Sequence, residues 1–249
     1  MGRRKMNKAG CKTTRERVNQ HYEEQWQGYT EEDVLKRVNN LSEVLDSIIS
    51  PLILKQGARI LDLGSGPGII PIRIAQIFNK NLGIRSCGID ISEKALNLGN
   101  RFIKKRGLAQ SIQLIKADCE NLPFKNDTYD AVVSNATINL LLHKENGFSE
   151  IVRVTKNKGD VIIADCLARE GKTCDRDTES DDDLWSACVA GAPTKKEIHK
   201  YADEVGMEVI STKNLTDEVT RLVKSRLWDW PEFLEHDLEY FVFKIKKRE

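Results

Sequence analysis

Short apolar runs alternate with helical patterns along the chain from Arg59 onward. Aliphatic and β-branched runs of five or six residues are typical of buried strands, and the segments between them place apolar residues at helical spacing. Strands are predicted at 59–63, 84–89, 112–117, 129–134, 160–164, 207–212 and 240–245. This alternation is typical of βαβ units. It predicts an α/β fold with a seven-stranded, mostly parallel sheet and helices on both faces.

Helices are predicted between these strands, at 67–78, 92–106, 140–155 and 195–205. Two segments lie outside the alternation. Residues 13–50 are polar with helical spacing and predict two helices before the sheet, so residues 1–50 are interpreted as an N-terminal arm and helical lid, and residues 51–249 as the main domain. Residues 167–193 carry an acidic run and leave the carboxyl end of the fifth strand, the edge at which open α/β sheets bind ligands.

A glycine-rich loop follows the first predicted strand and opens a helix, with Gly64, Ser65, Gly66 and Gly68 in the run LDLGSGPG. Glycines allow such a turn to approach a ligand closely. Asp90 ends the second strand, where a carboxylate can accept both hydroxyls of a ribose. Asp118 follows the third strand and is placed to bind an adenine amino group. A dinucleotide fingerprint would need glycine at Ile69, so the set favours a nucleoside without a pyrophosphate.

Composition narrows the classes of partner. The formal net charge of +1 produces no overall field for nucleic acid or an acidic membrane. Basic residues at 3–12 and 244–248 are interpreted as solvated termini, with a nucleic-acid contact as the alternative. No apolar stretch is long enough to span a bilayer and no signal peptide is recognised, so a cytoplasmic protein is expected. Its six cysteines are then expected to be reduced, and none forms a Cys-x-x-Cys pair, so no metal site is predicted.

These motifs resemble those of the class I S-adenosylmethionine-dependent methyltransferases, in the order ILDLGSGPG, GIDIS, ADCENLPF, YDAVVSN and GDVIIAD over residues 59–166. The resemblance implies a Rossmann-like methyltransferase domain with S-adenosylmethionine as cofactor and S-adenosylhomocysteine as product. It implies that the glycine loop surrounds the methionine part and that Asp90 holds the ribose. The remaining cofactor residues that it implies are Ile91 on adenine, Asp118 with Cys119 at the adenine edge, Asn135 beside the sulfonium, and Tyr22 as a lid, unless Tyr22 is a core aromatic.

The sequence gives weaker evidence for the methyl acceptor than for the cofactor. The segment after strand four is Ser134-Asn135-Ala136-Thr137, without the Asn/Asp-Pro-Pro-aromatic motif of amide and exocyclic-nitrogen methyltransferases, and no Pro-Cys pair for cytosine C5 chemistry is present. A small-molecule acceptor and in-line transfer are therefore predicted, for a monomer or homodimer, with no membrane or nucleic-acid partner expected. A protein or RNA methyltransferase and a catalytically silent cofactor-binding module are the alternatives.

A finer resemblance is to the arsenite methyltransferases and the quinone-biosynthesis C-methyltransferases, through SNATINL and ACVAGA. Trivalent arsenic is held by thiolates, which makes Cys174 and Cys188, with Cys166, candidate ligands. Ala136 stands where the arsenite family has a cysteine, and Cys11 does not clearly match its N-terminal one. The other interpretation is a core Cys166 and inert loop thiols.

Four further side chains are candidates by residue type. His143 and His199 are acid/base candidates or surface histidines. Trp228 and Trp230 are expected to cover an acceptor pocket, form a dimer contact or build a packing cluster.

Overall fold

The sheet contains seven strands in the order β3-β2-β1-β4-β5-β7-β6. The computed structural model describes residues 13–171 and 185–248. The strands are β1 Arg59–Leu63, β2 Arg85–Asp90, β3 Ile112–Lys116, β4 Tyr129–Asn135, β5 Thr155–Leu167, β6 Met207–Asn214 and β7 Glu239–Lys247. All neighbours pair in parallel except β7, which runs antiparallel to β5 and β6. The predicted α/β class and mostly parallel sheet are confirmed.

Helices cover both faces of this sheet. In the described residues they are α1 Thr14–Gln25, α2 Glu31–Asn40, α3 Ser42–Ile49, α4 Ile69–Leu82, α5 Glu93–Lys105, α6 Lys144–Val154, α7 Lys195–Glu204, α8 Thr216–Lys224 and α9 Glu232–Glu235. Two apolar clusters form the core, one on each side of the sheet. The carboxyl ends of β1, β2 and β4 meet at one edge, as parallel pairing requires.

The expectation of two helices before the sheet is wrong, because three form there. Thr13 and Thr30 each cap a helix through a reciprocal capping box, which starts α1 and α2. The chain breaks at Leu41, which is both the last cap of α2 and the first of α3. Helices α2 and α3 contribute to the main core, whereas α1 buries only Val18 among its residues. Helix α1 is therefore mostly polar and contributes little to the core, whereas α2 and α3 are part of it.

The structure also differs from the predictions at several other boundaries, and it contains two helices, α8 and α9, that were not predicted. Helix α4 begins at Ile69 because Gly68 has a φ of 85°, outside the helical region. Strand β5 is longer than predicted at both ends, since β4 and β7 pair with it on either side. A 3-10 turn at Ile138–Leu140 precedes α6, which begins only at Lys144. Helix α8 was not predicted, although Val219, Leu222 and Val223 have the i, i+3, i+4 spacing of one buried helix face, so its signal was present in the sequence.

The basic C-terminal residues are neutralised within the fold. Lys244 and Lys246 lie 3.3 and 3.4 Å from the buried Asp160 carboxylate. Lys247 pairs with Asp127, and Arg248 with Asp203. The basic arm at 1–12 lies outside the described residues. Among the helices of residues 13–171 and 185–248, none has the length and apolar character needed to cross a membrane.

Candidate functional site

The glycine loop connects β1 to α4 at the carboxyl edge of the sheet. Gly64, Gly66 and Gly68 all have left-handed backbones, with φ of 63°, 53° and 85°. A Cβ on Gly64 would lie 2.1 Å from Thr137 Oγ1, so the loop passes too close to the segment after β4 for any other residue. The Ser65 N–H donates to the Ile89 carbonyl at 2.8 Å, which fixes the loop against β2.

Asp90, at the end of β2, holds the other side of this loop. Its Oδ2 accepts the Gly66 N–H at 2.8 Å and its Oδ1 accepts the Ser92 N–H at 2.8 Å. Burial raises the pKa of this carboxyl, and the backbone donors partly offset the rise. The backbone N–H groups of Gly66, Ser92 and Ile91 use three of the roughly four acceptor positions of a carboxylate, so one position stays open. The carboxylate is thus oriented and able to accept a hydroxyl from a bound ligand.

A small cavity of about 100 Å³ lies beyond Asp90, and the residues predicted to surround adenine line it. They are Ile91, Asp118 and the buried Cys119, with Leu140 and Leu141 adding apolar surface. Asp118 Oδ2 is paired with the Arg15 guanidinium of α1 at 2.6 Å, and its Oδ1 accepts the Glu120 N–H at 2.9 Å. Asp118, which is predicted to lie at the adenine edge, is therefore held by an ion pair with helix α1.

A larger cavity of about 500 Å³ is also lined by the glycine loop. The two cavities share wall residues, namely Tyr22, Gly64, Asp90 and Ala136. The other residues of the larger cavity come from several segments. They include Asp62 in β1, the glycine loop at 65–67, the start of α4, helix α1 with Trp26 after it, Arg37 in α2, the loop at 186–188, the segment 228–232, and Asn135 at the end of β4. Trp228 and Trp230 are buried, line this cavity and pack on Tyr240 in the main core. The two tryptophans therefore line the cavity and also belong to the main core.

Asp62 lines the larger cavity with an unpaired carboxyl group, and its role was missed in the sequence analysis. It lies in β1 and is 2% exposed, and no described residue donates a hydrogen bond to its side chain. Burial raises its pKa well above the ordinary value, and Asp90 adds a smaller repulsion. A buried carboxyl without a donor favours a cationic partner. The signal in the sequence was a charged residue inside the apolar run RILDL.

Asn135, the last residue of β4, lines the larger cavity, and Tyr22 lines both cavities. Asn135 Oδ1 accepts the hydroxyl of the fully buried Tyr240 at 2.5 Å, which fixes the orientation of the amide. Tyr22 is half-buried, and its hydroxyl lies 3.4 Å from the Ser186 carbonyl and 3.6 Å from Cys188 Sγ. Helix α1 therefore contacts the far wall of the larger cavity through this phenol.

Two of the candidate thiols lie in the described residues, and their surroundings differ. Cys188 is buried at the wall of the larger cavity, in a left-handed backbone with φ of 67°, and burial raises its pKa to about 12. Cys166 is fully buried, with its Sγ donating to the Cys188 carbonyl at 3.0 Å and accepting Asn139 Nδ2 at 2.9 Å. Cys11 and Cys174 lie outside the described residues.

The histidine candidates do not reach either cavity. His143 precedes α6 and is exposed, and His199 is exposed on α7 with its ring 6.2 Å from that of Phe243. Neither lines the two cavities. Within residues 13–171 and 185–248, no three His, Cys, Asp or Glu side chains are grouped as a metal site.

Comparison with known proteins agrees with this geometry. A family model described as a methyltransferase domain matches residues 54–206, more than half of the chain. The arsenite methyltransferase of Halobacterium salinarum is 27% identical over 173 residues, which cover 70% of this chain and 42% of that protein. The ubiquinone/menaquinone biosynthesis C-methyltransferase of Geobacter sulfurreducens is 32% identical over 108 residues, which cover 43% of this chain and 41% of the relative.

The fold is also similar to solved structures. The geranyl diphosphate C-methyltransferase of Streptomyces coelicolor, solved with S-adenosyl-L-homocysteine, superposes with a TM-score of 0.69 at 15% identity over 83% of this chain and 76% of that one. The matches span about half the length of the curated relatives. S-adenosylmethionine is the cofactor of the matched family, and an oriented Asp90 and an unpaired Asp62 fit its ribose hydroxyls and its ammonium group. The chain belongs to the class I S-adenosylmethionine-dependent methyltransferases.

Proposed function

We propose that this protein transfers the methyl group of S-adenosylmethionine to a small-molecule acceptor bound in the larger cavity. The observation that carries the proposal is that the two cavities adjoin each other along a shared wall. The small cavity, predicted to hold the nucleoside, and the larger cavity share the wall residues Tyr22, Gly64, Asp90 and Ala136. A cofactor that lies across this shared wall would present the middle of the molecule, where its sulfonium is, to the larger cavity. A volume of about 500 Å³ is in the range of small-molecule sites.

The residues of the chain contribute binding and orientation. Asp90 is positioned to accept the ribose hydroxyls, and Asp62 to accept the ammonium group. Tyr240 holds the Asn135 amide at the boundary of the cavities, and the Tyr22 phenol closes the opposite side. The bound cofactor supplies an electrophilic methyl carbon on a sulfonium. Methyl transfer from a sulfonium is an in-line displacement, for which positioning and exclusion of water are the main protein contributions.

The test is the destination of the methyl group. Labelled S-adenosylmethionine is incubated with the protein and a cell extract, and label is counted in the low-molecular-weight, protein and nucleic-acid fractions. We expect label in low-molecular-weight products that are separated from S-adenosylmethionine by chromatography and that do not form when the protein is omitted. Label confined to protein or RNA would contradict the small-molecule proposal. Absence of label in all fractions, with S-adenosylhomocysteine binding intact, would favour the catalytically silent module.

Arsenite is the second candidate acceptor, because Cys188 lines the larger cavity close to Tyr22. Two features oppose it. The thiolate is the metalloid ligand, and burial raises the pKa of Cys188 to about 12, which keeps the thiol protonated at neutral pH. The Sγ of Cys166 is enclosed, between the Cys188 carbonyl and the Asn139 amide.

The arsenite alternative has its own experiment. Methyl transfer to arsenite in excess thiol is compared in the wild type, Cys188→Ser and Cys87→Ser, the last being a buried thiol outside both cavities. Turnover that is lost only in Cys188→Ser would establish a metalloid methyltransferase. No turnover in the wild type, with cofactor binding intact, would remove this candidate.

A further inference from the structure

The 3-10 turn Ile138–Leu140 and the residues after it form one wall of the small cavity, which is predicted to hold adenine. Leu140 and Leu141 line that cavity. The hydrogen bonds of the turn use the carbonyls of Thr137 and Ile138, which accept the N–H groups of Leu140 and Leu141. The next three carbonyls along the chain need donors from elsewhere in the fold, because a short 3-10 turn does not supply them.

Two side chains donate to these three carbonyls. Lys144, the first residue of α6, is buried, and its ammonium donates to the Asn139 carbonyl at 3.3 Å and to the Leu141 carbonyl at 3.0 Å. Trp185 donates from its indole Nε1 to the Leu140 carbonyl at 3.2 Å. The Lys144 ammonium also lies 5.3 Å from the centre of the Trp185 ring, which is a cation–π distance. The Lys144–Trp185 pair therefore holds the turn as one unit.

Trp185 begins a segment, residues 185–191, that also contributes to the larger cavity. Three residues of this segment, Ser186, Ala187 and Cys188, line that cavity. The segment returns to the turn at Gly191, where a Cβ would lie 2.0 Å from the Asn139 carbonyl oxygen. The turn is thus packed against both ends of residues 185–191, so the wall of the small cavity depends on the position of this segment.

We propose that Trp185, together with Lys144, is a positioning residue for the cofactor, which fixes the turn so that adenine is held against Asp118. Neither side chain lines either cavity, so each acts through the turn. Loss of either donor leaves a backbone carbonyl without its partner, and the turn moves to satisfy that carbonyl. The leucine wall then shifts relative to the Asp118 carboxylate, which is predicted to accept the adenine amino group. This inference rests on the proposed function.

The experiment compares two nucleosides that differ at one position of the base. Methylthioadenosine carries the adenine amino group, and methylthioinosine carries a carbonyl oxygen in its place. Their Kd values are measured by calorimetry in the wild type, Trp185→Phe, Lys144→Met and Thr155→Val. Trp185→Phe keeps an aromatic ring beside the Lys144 ammonium and removes the N–H donor. Thr155→Val is the matched control, because it removes a buried side-chain donor to the Ile151 carbonyl, at 2.6 Å, and Thr155 lines neither cavity.

We expect the wild type to bind methylthioadenosine about tenfold or more tightly than methylthioinosine, the size of one hydrogen bond to a charged group. Trp185→Phe and Lys144→Met should each reduce this ratio about fivefold, the size of one lost hydrogen bond. Thr155→Val should not change the ratio, although all three variants should unfold at a lower temperature. If Lys144→Met fails to fold, the ratio in Trp185→Phe decides the outcome.

Three results would overturn the proposal. The first is an unchanged ratio in a destabilised Trp185→Phe, because the pair would then support the fold alone. The second is an equal reduction of the ratio in Thr155→Val, and the third is a wild type that does not distinguish the two nucleosides. Failure of the wild type to bind S-adenosylhomocysteine, measured separately, would contradict the proposed function itself.

Discussion

Asp62→Asn should stabilise the free protein and weaken the binding of S-adenosylhomocysteine. Asparagine preserves the volume of the side chain but removes a buried, unpaired carboxylate. Removing that desolvated group should raise the free energy of unfolding by about 1–3 kcal/mol at neutral or higher pH. Each kcal/mol corresponds to about 2–4 °C in Tm for a chain of this size.

The size of the stability gain from Asp62→Asn depends on pH. Burial raises the pKa of Asp62 in the folded state, so the stability of the wild type is complete below the ordinary carboxyl pKa and falls as pH rises through the raised value. The gain from Asp62→Asn should therefore increase with pH. In the wild type, binding of a ligand ammonium should favour the ionised carboxylate and release a proton.

Calorimetry measures the binding part of this prediction. Loss of the carboxylate should raise the Kd for S-adenosylhomocysteine about 10- to 150-fold, which corresponds to about 1.5–3 kcal/mol for a charge-assisted hydrogen bond. Methylthioadenosine lacks the amino-acid end, so its Kd should not change. Repeating the titration in buffers of different ionisation enthalpy counts the protons released. Equal weakening of both ligands, or unchanged S-adenosylhomocysteine affinity, would refute the assignment of Asp62 to the ammonium.

Three further predictions concern stability. Gly64→Ala places a side chain on a left-handed backbone and 2.1 Å from Thr137 Oγ1, so it should lower the free energy of unfolding in urea by at least about 2 kcal/mol. Gly57→Ala, with φ of 73° and open space, should lower it by about 1–2 kcal/mol, and equal losses for the two variants would mean that the close contact relaxes. Tyr240→Phe should cost about 1 kcal/mol and reduce turnover, because the Asn135 amide loses its donor; unchanged values for both would exclude this role. Asp165 lies fully buried in β5 and accepts three backbone N–H groups, and burial raises its pKa from 3.8 to about 7. Its contribution to stability is therefore complete below pH 3.8 and is lost as pH rises to about 7; Asp165→Asn should flatten the stability–pH curve over that interval, and an unaltered curve would contradict the shift.

Strands and the glycine loop were predictable because their signals are local. Strand β1 begins and ends at the predicted residues, and β2, β3 and β4 differ by one residue at their ends. A buried parallel strand requires a continuous apolar run, which is visible in any window of five residues. Helix boundaries depend on caps and on left-handed residues such as Gly68, whose conformation is set by the packing of the loop.

The thiol candidates show the limit of residue type as evidence. The sequence offered Cys166 and Cys188 as possible partners in one site, and the two are close in the fold. Their chemistry, however, depends on burial and hydrogen bonds. Cys166 Sγ is occupied by two partners, and the Cys188 thiol is held protonated by burial, neither of which a linear spacing can indicate.

The sequence by itself determined the sheet and the family, and it predicted the cofactor residues, because those residues follow consecutive strands and parallel pairing brings the strand ends together. The larger cavity, in which we propose that the acceptor binds, is formed only by the tertiary structure. Arg37, Cys188 and Trp228 come from segments far apart in the chain, and they meet because α2, the loop after β5 and the segment before β7 pack around one cavity. The unpaired state of Asp62 is likewise a property of its surroundings, since charge is encoded in a residue but the presence of a partner is not.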